Sequence, residues 1–349
     1  MPTEFSQGPD SRELVFADDL GEKLDAGIRS GLLRGLHAVL VLQHGQLVLQ
    51  RFYEGADENW GRPLGTVAFK PETLHDLRSV TKSIVGLLYG IALDRRLVPP
   101  PEAPLMAQFP EYPDLARDPQ RQQLTIEHTL TMTLGLEWNE QIPYTDPANS
   151  EIAMERAPDR NRFILERPVV AAPGTRWIYG GAAPALLGRI IAKGTGKPLH
   201  AFAREALFEP MGIAAFEWSA GKDGVASAAS GLRLTPGDLA RIGELIRGKG
   251  VWNDRRIVSS AWIDASVHPA VETGDGLHYG RQWFIGDAPV AGVPQRWIGG
   301  FGNGGQRLWI MPGHGITAVI LAGNYNAPDG WVFPTRVWRE IILANLRAS

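Results

Sequence analysis

An apolar run, Ile84 to Leu93, follows directly on Ser79-Val80-Thr81-Lys82-Ser83 and constrains this chain more than any other segment. Its length and its opening residues read as a helix buried in a core. Lys82 is the only charge between Arg78 and Asp94, and a lysine at the head of such a segment is costly unless it is paired or used. Residues three apart on a helix lie about 60° apart around its axis. Ser79 and Lys82 therefore share a face, with the amino group able to reach the hydroxyl. A serine hydroxyl is a poor nucleophile without a neighbouring base. Lysine serves as that base if burial or nearby positive charge brings its pKa down from about 10.4 toward neutrality. Ser-x-x-Lys is short enough to recur by chance, and Ser219-Ala220-Gly221-Lys222 is a second copy. That copy reads as a surface turn, because Asp223-Gly224 follows and no helix aligns its side chains. On the motif alone, Ser79 and Lys82 read equally as a nucleophile with its activator or as an ordinary helix start.

Composition narrows the alternatives. The 349 residues, 44% apolar and 21% charged, suffice for one large domain or two intimate ones with ample core. A net charge of −3 without any basic block argues against nucleic acid as a partner. The absence of cysteine excludes disulfides and thiol nucleophiles and leaves the compartment unreadable from redox usage. The eight histidines (37, 44, 75, 128, 200, 268, 278 and 314) are dispersed, so neither a metal nor a cofactor is expected. Gly299–Gly305 is glycine-rich but does not join a strand to a helix as a nucleotide fingerprint does. Met1–Asp19 lacks the basic and apolar regions of a signal peptide, and no apolar run reaches membrane-spanning length. A cytoplasmic location is expected, or a periplasmic one if an exported precursor has lost its leader. Only seven lysines stand against twenty-eight arginines, which makes Lys82 conspicuous. Nine of the eleven tryptophans lie in the second half, among them Trp177, Trp218, Trp252, Trp283, Trp297 and Trp309. Each reads as core or sheet packing, and together they suit an aromatic cleft.

Periodicity predicts a helix over 19–34 and a hairpin of Leu36–Leu42 and Leu47–Tyr53 about His44-Gly45. Further helices are expected over 124–134, introduced by Thr125 and stopped by Gly135, and over 182–193, 198–208, 235–247 and 332–346. Short β-type runs appear at 282–285, 297–299, 307–311 and 316–322. Strands thus flank a mostly helical middle. The economical arrangement is one sheet drawn from both ends of the chain with a helical insertion, in a mixed α/β (α+β) fold.

Several stretches, in order, resemble the serine hydrolases that include class C β-lactamases, penicillin-binding DD-peptidases, family VIII carboxylesterases and nylon-oligomer hydrolases. They are Ser79-Val80-Thr81-Lys82, Leu124-Thr125-Ile126-Glu127-His128 through Leu136, Pro173-Gly174-Thr175-Arg176-Trp177-Ile178-Tyr179, Leu186–Ile191, Glu209-Pro210-Met211-Gly212 and Ser230–Pro236. The resemblance implies an antiparallel sheet flanked by helices. It implies one catalytic domain over 1–349, with 1–78 and 230–349 as the α/β part and 79–229 as the mostly helical part. By the same resemblance Tyr179, at the position of a Tyr-x-Asn motif, is the second proton-handling group beside Lys82. Asn303-Gly304-Gly305 stands at the third motif, on a sheet-edge strand, where glycines let substrate lie against the backbone, and reads equally as a glycine-rich turn before a strand at Arg307–Met311. The N–H groups of Ser79 and Gln306 then form an oxyanion hole, and Trp177, Gly181, Asn303, Gly304 and Gly305 contact substrate.

The chain departs from that pattern at two places. Gly181 replaces the asparagine of Tyr-x-Asn, and Asn303 replaces a lysine or histidine. Losing a polar contact and a positive charge disfavours a β-lactam or a peptide C-terminus and favours a neutral ester or uncharged amide, unless Arg176 or Arg307 restores the charge. The Gly-x-Ser-x-Gly elbow of α/β-hydrolases is absent. The expectation is a serine hydrolase acting on carboxylic esters through an acyl-enzyme. Its competitors are an amide or β-lactam hydrolase of the same fold and a binding module that has lost the chemistry. The partner is a small-molecule ester or amide, with the oligomeric state open.

Overall fold

The computed structural model describes residues 14–348. Its centre is an eight-stranded antiparallel sheet in the spatial order 271–272, 278–279, 284–290, 293–302, 306–311, 316–322, 36–43, 46–52. Both ends of the chain therefore contribute, and the intervening residues are mostly helical. Side chains alternate across a strand, and here the alternation divides two cores. Leu40, Leu308, Ile310, Val319 and Leu321 face one core, which holds the helix Val80–Asp94. Val39, Val41, Trp309, Met311, Ala318 and Ile320 face the other, with Leu20 and Leu24 of the helix Leu20–Arg29 and with Val337, Trp338 and Ile342 near the C-terminus. Because both faces are covered, Ile316–Ala322 is buried at every position and reads in the sequence as an apolar run interrupted only by Thr317.

Val80 through Ala92 are all buried. This helix packs between the sheet and the helix Ala182–Thr195, so its first turn emerges where the sheet meets the helical insertion. Two expected helices differ. The one over 124–134 spans only Ile126–Leu130. Thr125 caps it as expected, but the Thr131 hydroxyl donates back to Glu127 O, Met132 takes φ +57° and the chain leaves the helix. The freed carbonyls of Met132 and Thr133 accept from Ile178 N (2.9 Å) and Gly174 N (2.8 Å), bracing the segment that carries Tyr179. The helix over 332–346 winds through wider and tighter turns and ends in a strand, Leu346–Ala348, paired with Leu14–Phe16. Among the described residues no helix is long and apolar enough to cross a membrane.

Candidate active site

Ser79 sits at the N-terminal edge of the Val80–Asp94 helix, and the chain is bent to put it there. Arg78 adopts φ +47°, a left-handed conformation costing about 1–3 kcal/mol in a non-glycine residue and held only by surrounding contacts. Asp76, fully buried, supplies two of them, accepting from Arg78 N at 2.9 Å and Trp60 N at 2.7 Å. The guanidinium of Arg78 pairs with Asp76 and Glu58 and lies 4.8 Å over the ring of Tyr325. Leu77 N bonds to Leu232 O, and Leu77 O accepts from Val80 N at 3.1 Å. The turn 77–80 is thus fixed on both sides.

Lys82, 1% exposed, donates to Ser79 Oγ at 2.9 Å and to Ala229 O at 2.9 Å. The geometry expected from helical spacing is present. The expected electrostatics are not. Burial alone would lower the lysine, but the carboxylate of Glu151, 3.5 Å from Nζ, together with Tyr179 and Glu140, outweighs it and holds the amino group above its usual range. Lys82 is therefore an ammonium at rest, because its neighbours are acidic and not basic.

Both acids went unnoticed in the sequence. Glu151 lies in the first turn of the helix Ser150–Arg156, where the buried Asn149 caps its backbone N–H at 3.0 Å. Its Oε1 accepts from Ser230 Oγ at 3.1 Å. Glu140 precedes that helix and accepts from Trp138 Nε1 (2.6 Å), Tyr144 OH (3.2 Å) and the backbone N–H of Gly181. Burial and the adjacent Glu151 push the Glu140 carboxyl up to about 7.

Tyr179 is packed beside this pair, with Lys82 Nζ 5.2 Å from its ring centre. Burial raises the phenol and the Lys82 ammonium partly reverses this, leaving a net upward shift. An aromatic chain leads away from it. Trp177 and Phe284 lie 5.8 and 6.1 Å from Tyr179, and Phe284 stacks on Phe301 at 4.9 Å.

Gly181 is buried, and a Cβ there would meet Glu151 Oε2 at 2.9 Å and Ala229 Cβ at 3.0 Å. The room for the missing asparagine side chain is filled by a carboxylate, so Gly181 packs against Glu151.

The third motif is also differently placed. Asn303-Gly304-Gly305 is a turn in the interior of the sheet, not an edge strand. The ladder breaks because Gly304 and Gly305 take φ +84° and +101°. Its contacts run to the segment after strand 316–322. Asn303 Oδ1 accepts from Asn326 N at 2.8 Å, and the Gln306 amide is tied to Asn303 O, Ala322 O and Ala322 N. The backbone that closes on the serine is the strand before it. A Cβ on Gly302 would meet Leu77 O at 2.5 Å, and one on Gly300 would meet Val80 Cγ1 at 3.2 Å. Strand 284–290 starts pairing at Phe284↔Gly299, so Gly300–Gly302 overhang it and pair on the Gln306–Met311 side. Arg307 serves no incoming anion, since its Nη1 donates to Gly302 O and Gln306 O and the guanidinium covers Phe301.

One group among the described residues has the makings of a metal site, His37, Asp57 and His75, with candidate ligand atoms within 4.8 Å of one another. Those atoms have protein partners already. His37 Nδ1 faces His75 Nε2 at 2.9 Å, and Asp57 accepts from Tyr325 OH and pairs with Arg233. The second Ser-x-x-Lys copy lies in a turn, closed by Gly221 N to Val225 O at 3.1 Å.

The comparisons with known proteins agree with this geometry. Esterase EstB of Burkholderia gladioli is 30% identical over 220 residues, 61% of this chain and 53% of that protein, so the match spans about half of its length. The 6-aminohexanoate-dimer hydrolase of Paenarthrobacter ureafaciens is 24% identical over 336 residues, 87% of this chain and 75% of that one. The structure of EstCE1, described as a hydrolase with promiscuous acyltransferase activity, superposes with a TM-score of 0.72 at 18% identity, covering 93% of this chain and 98% of that one. The family described as Beta-lactamase matches residues 27–330. The chain belongs to that family, the β-lactamase-related serine hydrolases that its motifs resemble.

Proposed function

We propose that this hydrolase cleaves uncharged carboxylic esters through an acyl-serine intermediate, with Ser79 as nucleophile. The observation that carries the reading is the placing of three groups together: Ser79 Oγ accepts from the buried ammonium of Lys82 at 2.9 Å, and the same ammonium lies against the ring of Tyr179 at 5.2 Å. The Ser79 oxygen attacks the carbonyl carbon, and the carbonyl electrons move onto its oxygen. The seryl proton passes to Tyr179 in its phenolate form, which the adjacent Lys82 ammonium stabilises, and from there to the departing alkoxide. Water repeats the sequence on the acyl-enzyme and releases the acid. The Ser79 N–H is one oxyanion donor. For the second we move the assignment from Gln306 to the overhanging backbone of Gly300–Gly302, which faces the serine. Residues 1–78 and 230–349 with 79–229 then act as one catalytic unit, the serine lying at their seam.

Two features favour an uncharged substrate. Glu151 neutralises the Lys82 ammonium beside the serine and Arg307 is engaged internally, which leaves a substrate carboxylate no uncompensated positive charge there. The aromatic chain through Trp177 and Phe284 suits an apolar acyl group. A second reading, hydrolysis of a linear amide on the same serine, is favoured by the 6-aminohexanoate-dimer hydrolase match over most of the chain. The test is turnover of p-nitrophenyl acetate and butyrate, nitrocefin and a linear amide in parallel, with Ser79→Ala as control. Ester turnover lost in Ser79→Ala is expected. Dominant amide or nitrocefin turnover would replace the substrate class, and an active Ser79→Ala would remove the mechanism.

A further inference from the structure

At residue 181 the chain gives up a side chain close to the serine, and the structure shows what takes the space. Glu151 Oε2 stands 2.9 Å from where a Cβ on Gly181 would be. The same oxygen is 3.5 Å from Lys82 Nζ and has no hydrogen-bond donor of its own, whereas Oε1 is anchored to Ser230. Glu151 is 4% exposed, and the Asn149 cap sets the start of the helix that carries it. The backbone N–H of Gly181 is used as well, by Glu140. The missing asparagine is thus a substitution in space, where a carboxylate from a distant helix has replaced an amide from the tyrosine's own segment.

We infer that Glu151 is a positioning residue for the hydrolysis, occupying the place vacated at Gly181 and holding the Lys82 amino group on Ser79. This rests on Ser79 being the nucleophile, as proposed above. Lys82 has two hydrogen-bond partners, Ser79 Oγ and Ala229 O, and one ion-pair partner, Glu151. Removing the carboxylate leaves two, and a buried ammonium with a weaker counter-charge swings away from the serine. The other charged or titratable groups facing this pair are Glu140, Tyr179, Tyr144, Arg78 and Glu155. Glu151 raises both Lys82 and Tyr179, so its neutralisation lowers both. The rise of kcat/KM with alkaline pH, which reports formation of the Tyr179 phenolate, then moves to lower pH.

The experiment uses four variants of the full chain with p-nitrophenyl butyrate, each checked for fold by circular dichroism. Glu151→Gln keeps shape and removes charge. It is expected to lower kcat at least tenfold and to move the alkaline limb of kcat/KM to lower pH. Glu151→Ala is expected to lose about a hundredfold in kcat, and Gly181→Asn at least tenfold through its clash with Glu151. The double variant Glu151→Ala/Gly181→Asn, in which the amide regains its room, is expected to recover at least tenfold over Glu151→Ala. A carboxylate with a merely structural role would move neither the limb nor the coupling between the two positions. An unshifted limb in Glu151→Gln, or a double variant no better than Glu151→Ala, overturns the inference. Retained activity in Ser79→Ala is a separate result and strikes the serine assignment instead.

Discussion

Gly302→Ala isolates the contact that holds the nucleophile in place. An ideal Cβ on residue 302 would lie 2.5 Å from Leu77 O, 3.0 Å from Arg78 Cβ and 3.1 Å from Gln306 Cβ. An ordinary carbon–oxygen contact needs about 3.3 Å, so roughly 0.8 Å must be found by moving backbone. The strand cannot easily retreat, because Gly302 is in register with Gln306 and its neighbours remain paired. Leu77 O cannot easily turn, because it accepts from Val80 N and opens the turn containing Ser79. Overpacking of this kind typically costs about 1–3 kcal/mol. A displacement of about 1 Å at a reacting group costs on the order of a hundredfold in rate. Gly300→Ala is the internal control. Its Cβ would meet Ser83 Oγ and Val80 Cγ1, both at 3.2 Å, side-chain atoms that yield by a few tenths of an ångström, so stability within about 1 kcal/mol is expected. The assay is kcat/KM for p-nitrophenyl butyrate, normalised to titrated serine, beside a denaturant unfolding curve. Equal activity and equal unfolding midpoints for the two alanine variants would refute the idea that strand 293–302 sets the serine's position.

Three further outcomes are expected. Tyr179→Phe should lower kcat by about 10²–10⁴-fold and abolish the alkaline rise of kcat/KM, with the near-ultraviolet dichroism retained; a surviving rise would assign that limb to another group. His37, held neutral by burial with a pKa lowered to about 3, leaves the unfolded chain to take up the proton first as the pH drops below 6.5. It therefore contributes stability above that pH which is lost on acidification, at about 1.4 kcal/mol per unit. The stability gap between wild type and His37→Gln should close by about 2 kcal/mol from pH 7 to 5, and a gap independent of pH in urea unfolding would contradict this. Thr125→Ala removes a reciprocal cap with His128 and should cost about 1 kcal/mol in the same assay.

The sequence was legible where structure is local or where both faces of an element are buried. The apolar runs at 307–311 and 316–322 appear as strands because two cores cover them. The hairpin about His44-Gly45 follows from its turn chemistry. Misreadings fell where a side chain or a distant segment competes with the helix. Thr131, which bonds back to Glu127 O, ends a helix that periodicity carries to Leu134. The hairpin 54–59 with 62–68 was not foreseen, since its exposed, charged residues carry no apolar alternation.

The site divides in the same way. Ser79 and Lys82 are three residues apart on one helix, so their meeting depends on helical geometry alone and is readable from the chain. Glu151 meets Lys82 across 69 positions of sequence, and one glutamate among 38 acidic residues carries no mark of where it will fold. The signal that could have found it was a vacancy. A glycine in place of a hydrogen-bonding side chain, next to a buried lysine, obliges some other group to supply the counter-charge, because an unpaired buried ammonium is too costly to keep. Reading Gly181 as a lost contact led to a substrate argument from weakness. With Glu151 in that space, the polar partner is present and negative. The proposed preference for an uncharged substrate then rests on Glu151 neutralising the Lys82 ammonium beside Ser79.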